Sequence, residues 1–118
     1  MDRLPGEHRI QEESGEIPFD EWFNALRDRR MQAAVDSRLA RVRAGNFGDH
    51  KGVGQGVVEL RIHIGPGLRV YYGEQEKRIV ILLGGGDKSS QSRDIKRAIQ
   101  LWQQWQEFNK NASKKLQR

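Results

Sequence analysis

Residues 57–83, VVELRIHI-GPG-LRVYYG-EQE-KRIVILL, decide the fold of this chain. In the first part, one face of a strand would carry Val58, Leu60, Ile62 and Ile64, and the other Val57, Glu59, Arg61 and His63. Gly65-Pro66-Gly67 is a tight-turn signal, and a polar turn at 74–76 precedes a nearly continuous apolar run. The stretch predicts an antiparallel meander of three strands, Val57–Ile64, Leu68–Gly73 and Lys77–Leu83.

Two amphipathic helices are predicted before the meander. The first follows Pro18 and stops near Asp28, and its apolar side is Phe19, Trp22, Phe23 and Leu26. The second runs over 29–44, and its apolar stripe is Met31, Val35, Leu39 and Val42. Because the helices are joined tightly, we expect a helical hairpin.

The remaining segments complete a single domain over residues 1–118. Residues 1–16 are poorly defined, with a weak strand signal at 8–11, and the glycine-rich residues 45–56 are expected to form a loop. A last helix is predicted over 90–108, followed by a flexible basic tail at 109–118. The expected fold is a small α+β sandwich, with all helices on one face of an antiparallel sheet of three to four strands and the other face open.

Composition narrows the class of function. No apolar run is long enough to span a membrane, and the N-terminus has no signal-peptide core. Cysteine is absent, which excludes thiolate catalysis and agrees with a cytoplasmic protein. Residues 1–26 carry a net charge of −5 and residues 27–118 a net charge of +10. A body this basic indicates a polyanionic partner, most often a nucleic acid.

The open sheet face is where we expect function. Alternation and the turns would bring together Arg61, His63, Arg69 and Tyr71, with Lys88 and Lys51 nearby. Cations can stabilise the phosphorane formed when a 2′-hydroxyl attacks an RNA phosphate, and an aromatic ring can stack on a base. No metal-ligand spacing or cofactor motif is present, so neither is expected. The competing interpretation is an ordinary exposed sheet with Glu59 and Arg61 as an ion pair and His63 as a plain surface histidine.

Several spaced motifs resemble one known family. They are Gly54-x-Gly56-Val57-x-Glu59-Leu60-Arg61, Gly65-Pro66-Gly67-x-Arg69-Val70-Tyr71 and Leu82-Leu83-x-Gly85-Gly86-Asp87-Lys88-Ser89-Ser90-Gln91-x-x-Asp94-Ile95, with Trp22 and Leu26-Arg27-Asp28 upstream. Over roughly residues 18–105 the chain is similar to phage-derived addiction-module killer proteins, the HigB-like branch of the RelE/ParE toxin superfamily.

The resemblance implies a toxin of a bacterial type II toxin–antitoxin pair. RelE-type members cleave mRNA in the A site of the 30S ribosomal subunit without a metal. The implied partner is a helix-turn-helix antitoxin, and operator DNA would be bound only through the complex of the two proteins. Arg61, Arg69 and Lys88 fall at catalytic positions of the family, and His63 is a further candidate for proton transfer. The sequence departs from the family at Glu59, where a second lysine is common, and lacks a tyrosine in the last helix.

Other cations are candidates for holding ribosomal RNA or mRNA. With Tyr71, these are Lys51, Arg38, Arg41, Arg93 and Lys96. Two alternatives stay open at this point. The chain could be a ParE-like toxin that inhibits DNA gyrase, or a non-catalytic member that binds only an antitoxin and DNA.

Overall fold

The structure is a computed structural model that describes residues 6–12, 14–77 and 79–116, with side chains as far as residue 111. Its elements are β1 (Gly6–Arg9), α1 (Pro18–Ala25), α2 (Arg29–Arg43), β2 (His50–Gly54), β3 (Val57–Ile62), β4 (Leu68–Gln75), β5 (Ile79–Asp87), a 3-10 turn (Lys88–Ser90) and α3 (Gln91–Leu116). The α+β class is therefore confirmed, and the helices predicted from Pro18 to near Asp28 and over 29–44 are observed as α1 and α2.

The sheet is larger than the sequence predicts. Its five strands have the order β1-β5-β4-β3-β2, with β1 parallel to β5 and the other pairs antiparallel. The meander is confirmed as β3, β4 and β5, and the weak strand signal near residue 8 corresponds to β1. The predicted loop at 45–56 contains β2, which pairs with β3 across a two-residue turn at Gln55 and Gly56, both at positive φ. Because β2 is mostly exposed, it lacks the apolar alternation that would have revealed it.

The last strand also extends beyond its predicted end at Leu83, because β5 continues through Gly84, Gly85 and Gly86 to Asp87. Two of these glycines are sites of close packing. Trp22 lies directly against Gly85, and the Asp94 carboxylate lies directly against Gly86, so that a Cβ atom at either position would collide with them. Glycine is thus required here for helix-to-sheet contact rather than for flexibility.

Helices cover both faces of the sheet. One core lies between the sheet and α1 and α2, and its buried members are Phe19, Val35, Leu39, Val42, Leu60, Ile62, Leu68, Val70, Tyr72, Val80 and Leu82. The second core lies against α3, and its buried members are Ile10, Val57, Tyr71, Ile81, Leu83, Ala98, Leu101 and Trp102. The expectation of one open face is therefore wrong, because the apolar stripe of α3 needs a surface of its own and the side opposite α1 and α2 provides it.

The predicted helical hairpin is not observed. α1 packs on β5, whereas α2 packs on β3. Each helix is therefore placed by the sheet rather than by the other helix. Gln32 Nε2 connects them by donating hydrogen bonds to the carbonyls of Phe23 (3.2 Å) and Leu26 (3.1 Å).

α3 continues beyond its predicted end. It spans 26 residues and ends at Leu116, so residues 109–116, predicted as a flexible tail, are helical. Residues 117–118 lie outside the described part of the chain. Among the described helices, none combines the length and the apolar character that crossing a bilayer requires.

The packing of α3 on β4 gives a first prediction. A Cβ atom on Gly73 would lie 2.6 Å from Cε3 of Trp102, whose ring is buried. Gly73→Ala should therefore lower the free energy of unfolding by about 1–3 kcal/mol through overpacking. Chemical denaturation measures this, with Gly52→Ala as the matched control, because a Cβ there meets no atom within 4 Å. Equal stability of the two variants would contradict this packing.

Candidate functional site

Strand pairing gathers four polar side chains of β3 and β4 on the face covered by α3. In the antiparallel register, Glu59 lies opposite Tyr71, and Arg61 lies opposite Arg69. Because side chains alternate along each strand, all four project to one side. Gln91, the first residue of α3, reaches the same place. We call Glu59, Arg61, Arg69, Tyr71 and Gln91 the Glu59 cluster.

Glu59 is the centre of this cluster and is 0% exposed. Its Oε2 accepts hydrogen bonds from the Tyr71 hydroxyl (3.0 Å) and from Gln91 Nε2 (2.9 Å). Its Oε1 accepts a hydrogen bond from Arg61 Nε at 3.0 Å, and Arg69 Nε lies 3.7 Å from the same oxygen. Two guanidinium groups therefore balance the buried negative charge, and two neutral donors form hydrogen bonds to the carboxylate.

These contacts determine the ionisation of the cluster. Burial acts to raise the pKa of Glu59, but the hydrogen bonds from Gln91, Arg61 and Tyr71 outweigh it, and the pKa is lowered from its usual value. Burial, followed by the charge of Glu59, raises the pKa of Tyr71 well above its ordinary value. Tyr71 is thus a neutral hydrogen-bond donor. Its ring is fully buried, so the expectation that it stacks on an RNA base is wrong.

The two arginines direct Nε inward and have their Nη atoms available. The Arg61 side chain is 31% exposed and the Arg69 side chain 11% exposed. Within the described part of the chain, their Nη atoms make no hydrogen bond, and the buried Nε of Arg69 also lacks a hydrogen-bond partner. Arginine carries five N–H donors, so most of the donor capacity of this pair is unused.

Lys88 completes a group of three cations. From the position that a Cβ atom on Gly67 would occupy, Arg69 Nη1 is 3.8 Å away and the Lys88 Cβ is 4.0 Å away. Asp87 holds the turn that carries Lys88, because its Oδ1 accepts a hydrogen bond from the Ser89 backbone N–H at 2.8 Å. The three cations predicted from the sequence as catalytic residues, Arg61, Arg69 and Lys88, therefore lie at one end of the sheet.

The start of α3 is fixed by a second contact. The Ser90 hydroxyl donates a hydrogen bond to the Asp94 carboxylate, which itself lies against Gly86. The absence of a side chain at Gly86 lets the first turn of α3 approach β5. This approach positions Gln91 to reach Glu59, so Gly86 supports the Glu59 cluster indirectly.

His63 lies apart from the Glu59 cluster. Its Nε2 pairs with Asp49 Oδ2 at 2.6 Å, its side chain is 72% exposed, and it faces a groove lined by Ser37 and Arg41 of α2. The hydrogen bond with His63 lowers the pKa of Asp49 from its usual value. Alternation predicted His63 beside Arg61, but β3 ends at Ile62, so the alternation ends before it.

Arg38 has a structural position rather than an RNA-facing one. The residue is only 7% exposed, and its guanidinium donates hydrogen bonds to the carbonyls of Phe47 (2.9 Å), Asp49 (2.6 Å) and Arg61 (2.6 Å). Burial lowers its pKa from the usual arginine value. The expectation that Arg38 holds RNA is therefore wrong, because its donors are used to join α2, the 47–49 loop and β3.

The other cations predicted to bind RNA are exposed. These are Lys51, Arg41, Arg93 and Lys96. Of these four, Lys51 of β2 lies nearest to the Glu59 cluster, because it is paired with Glu59 of β3. In the described residues, no group of three or more His, Asp or Glu side chains is arranged to hold a metal ion.

Sequence reasoning missed the central role of Glu59 and the participation of Gln91. A signal for Glu59 was present, because pairing β3 with β4 across the Gly65-Pro66-Gly67 turn puts a glutamate between two arginines and a tyrosine. Gln91 had no such signal, since its contact depends on which face of the sheet α3 covers.

Comparison with known proteins gives a relative in Haemophilus influenzae. A Haemophilus influenzae protein named "Uncharacterized protein" is 48% identical over 88 residues, which is 75% of this chain and 89% of the Haemophilus protein. The chain belongs to the family of this Haemophilus protein. No protein-family model matches the chain. No solved structure matches it either.

The position of Arg38 gives a prediction that separates it from Arg41, three residues later on α2. Arg38→Ala should lower the free energy of unfolding by at least about 2 kcal/mol, because three carbonyls lose their donor. Arg41→Ala removes an exposed cation of the same helix and should change stability by no more than about 0.5 kcal/mol. Urea denaturation of both variants tests this, and equal losses would contradict the role of Arg38.

The lowered pKa of Glu59 predicts a pH dependence of stability. A carboxylate whose folded-state pKa lies below its unfolded value contributes stability above the unfolded pKa and loses it as the pH falls through the folded pKa. The difference in unfolding free energy between the wild type and Glu59→Gln should therefore shrink between about pH 6 and pH 3. Denaturation at several pH values measures this difference. A constant difference across that range would contradict the ionised state of Glu59.

Proposed function

We propose that this chain is the toxin of a bacterial type II toxin–antitoxin module and that it cuts mRNA on the ribosome as a metal-independent endonuclease. The observation that carries the proposal is the pair Arg61 and Arg69, held beside a buried carboxylate with their Nη atoms unused and with Lys88 adjacent. The motif resemblance to HigB-like killer proteins supports the same conclusion independently of the geometry.

The chemistry required is cleavage by the neighbouring hydroxyl of RNA. The 2′-oxygen attacks phosphorus and loses its proton to a water molecule, the bond between phosphorus and the 5′-oxygen breaks, and that oxygen receives a proton from Lys88. The products are a 2′,3′-cyclic phosphate and a 5′-hydroxyl. Arg61 and Arg69 are suited to stabilise the additional negative charge on the phosphorane, because cationic donors act strongly in a partly buried site.

Proton transfer in this proposal is assigned to Lys88. It lies beside Arg69, whereas His63 is paired with Asp49 in the separate groove next to α2. A lysine ammonium is a suitable proton donor to a leaving oxygen, because it carries three N–H donors on a flexible stem. Arginine is unsuited to this step, since it stays protonated.

The exposed cations fit the larger partner. Lys51, Arg41, Arg93 and Lys96 are available for ribosomal RNA or mRNA, where phosphate neutralisation releases counterions. In the bacterial cytoplasm the proposed site of action is the A site of the 30S subunit. The proposed regulator is a helix-turn-helix antitoxin, and operator DNA would be contacted through their complex.

Arg69→Ala tests the proposal. It should abolish growth arrest on induced expression, because one of the two guanidinium groups at the phosphate is lost. Primer extension on cellular mRNA should show cuts within translated codons for the wild type and none for the variant. Arg29→Ala, an exposed arginine at the start of α2, is the matched control and should remain toxic. Circular dichroism shows whether each variant is folded.

Three results would contradict the proposal. Undiminished growth arrest by folded Arg69→Ala would show that the assigned site is wrong. Intact mRNA together with DNA damage would indicate gyrase inhibition. Unchanged growth and transcripts, with a co-purifying antitoxin, would indicate a non-catalytic member.

A further inference from the structure

The two oxygens of the Glu59 carboxylate have different partners. Oε2 is bound by the neutral donors of Tyr71 and Gln91, at 3.0 and 2.9 Å. Oε1 faces the two guanidinium groups, with Nε of Arg61 at 3.0 Å and Nε of Arg69 at 3.7 Å. The neutral donors thus fix the carboxylate, and the oxygen they leave open is shared by both arginines.

This arrangement determines which edge of each guanidinium is free. A guanidinium is planar and rigid, so holding Nε against Oε1 directs part of its Nη edge away from the carboxylate. Planar guanidinium edges match the oxygens of a phosphate. Arg61 and Arg69 are a direct cross-strand pair, and both Nε atoms face Oε1 of Glu59, so the two guanidinium groups lie close together on one side of the sheet. Like charges so placed repel each other, and the carboxylate between them offsets that repulsion.

We infer that Glu59 is a positioning residue: it aims the Nη atoms of Arg61 and Arg69 at one RNA phosphodiester without touching it. The inference rests on the proposed function and adds a role for the residue that departs from the lysine common in related toxins. Glu59 is fully buried, so its effect on RNA is exerted through the arginines. The start of α3 takes part as well, since Gln91 helps to fix the carboxylate.

Glu59→Gln separates positioning from charge. The substitution removes one negative charge from the site, so charge alone predicts tighter binding of RNA. Positioning predicts weaker binding, because the amide replaces the carboxylate that both arginines face. The probe is a short, labelled 2′-O-methyl oligoribonucleotide, which cannot be cleaved, and its Kd is measured by fluorescence anisotropy at fixed salt. We expect the Kd to rise about tenfold, the order of a lost charge-assisted contact.

Two further measurements exclude a merely structural role. Val70→Ala removes core packing on the opposite face of β4, so it should reduce stability and leave the Kd unchanged. In a double-mutant cycle, Arg61→Ala should raise the Kd clearly in the wild type and only slightly in Glu59→Gln, because the two residues act as a unit.

The outcomes distinguish this inference from the proposed function. If the wild type binds the oligoribonucleotide and folded Glu59→Gln binds it as tightly or more tightly, the positioning role is overturned and the proposed function stands. Additive effects of Glu59→Gln and Arg61→Ala, or equal losses in Val70→Ala, overturn it as well. If the wild type does not bind the oligoribonucleotide, the positioning role is overturned, whereas the proposed function is decided by growth arrest and primer extension with Arg69→Ala.

Discussion

A carboxylate without solvent contact must find both charge balance and hydrogen bonds inside the protein, and Glu59 imposes this requirement on the elements around it. β3 and β4 meet the requirement through their register, which supplies Arg61, Arg69 and Tyr71 from directly opposed positions. α3 meets it through Gln91, its first residue. The Glu59 carboxylate therefore links the pairing of β3 and β4 to the docking of α3.

The close approach of α3 depends on residues that have no polar role. Gly86 leaves room for Asp94, which is held by Ser90, and Gly73 leaves room for the Trp102 ring. Together these contacts set the helix on the sheet at its start and near its middle. The polar cluster is thus supported by steric fit at two glycines of neighbouring strands.

Much of the fold could be predicted from local patterns. Alternation in 57–62 identified the strand and both of its faces, and helical spacing identified α1 and α2. β2 was not predicted, because it pairs through its backbone and has few buried side chains that would give an apolar pattern. Local patterns do not show which side of the sheet α3 covers, because this depends on tertiary packing. Tyr71 was therefore predicted to lie on an open face, whereas α3 buries it. Arg38 and Arg41 look alike in sequence, and only the position of the 47–49 loop distinguishes the buried one from the exposed one.

The coverage of both sheet faces has a consequence for how a long polymer could reach the arginines. With α3 over one face and α1 and α2 over the other, the central strands of the sheet are covered on both faces. The Arg69 guanidinium and Lys88 lie instead at the rim of the sheet, next to the Gly65-Pro66-Gly67 turn. Under the proposed function, a substrate that enters at this rim would be a single flexible strand bent around the protein edge, and a stiff double helix laid flat would not reach the arginines.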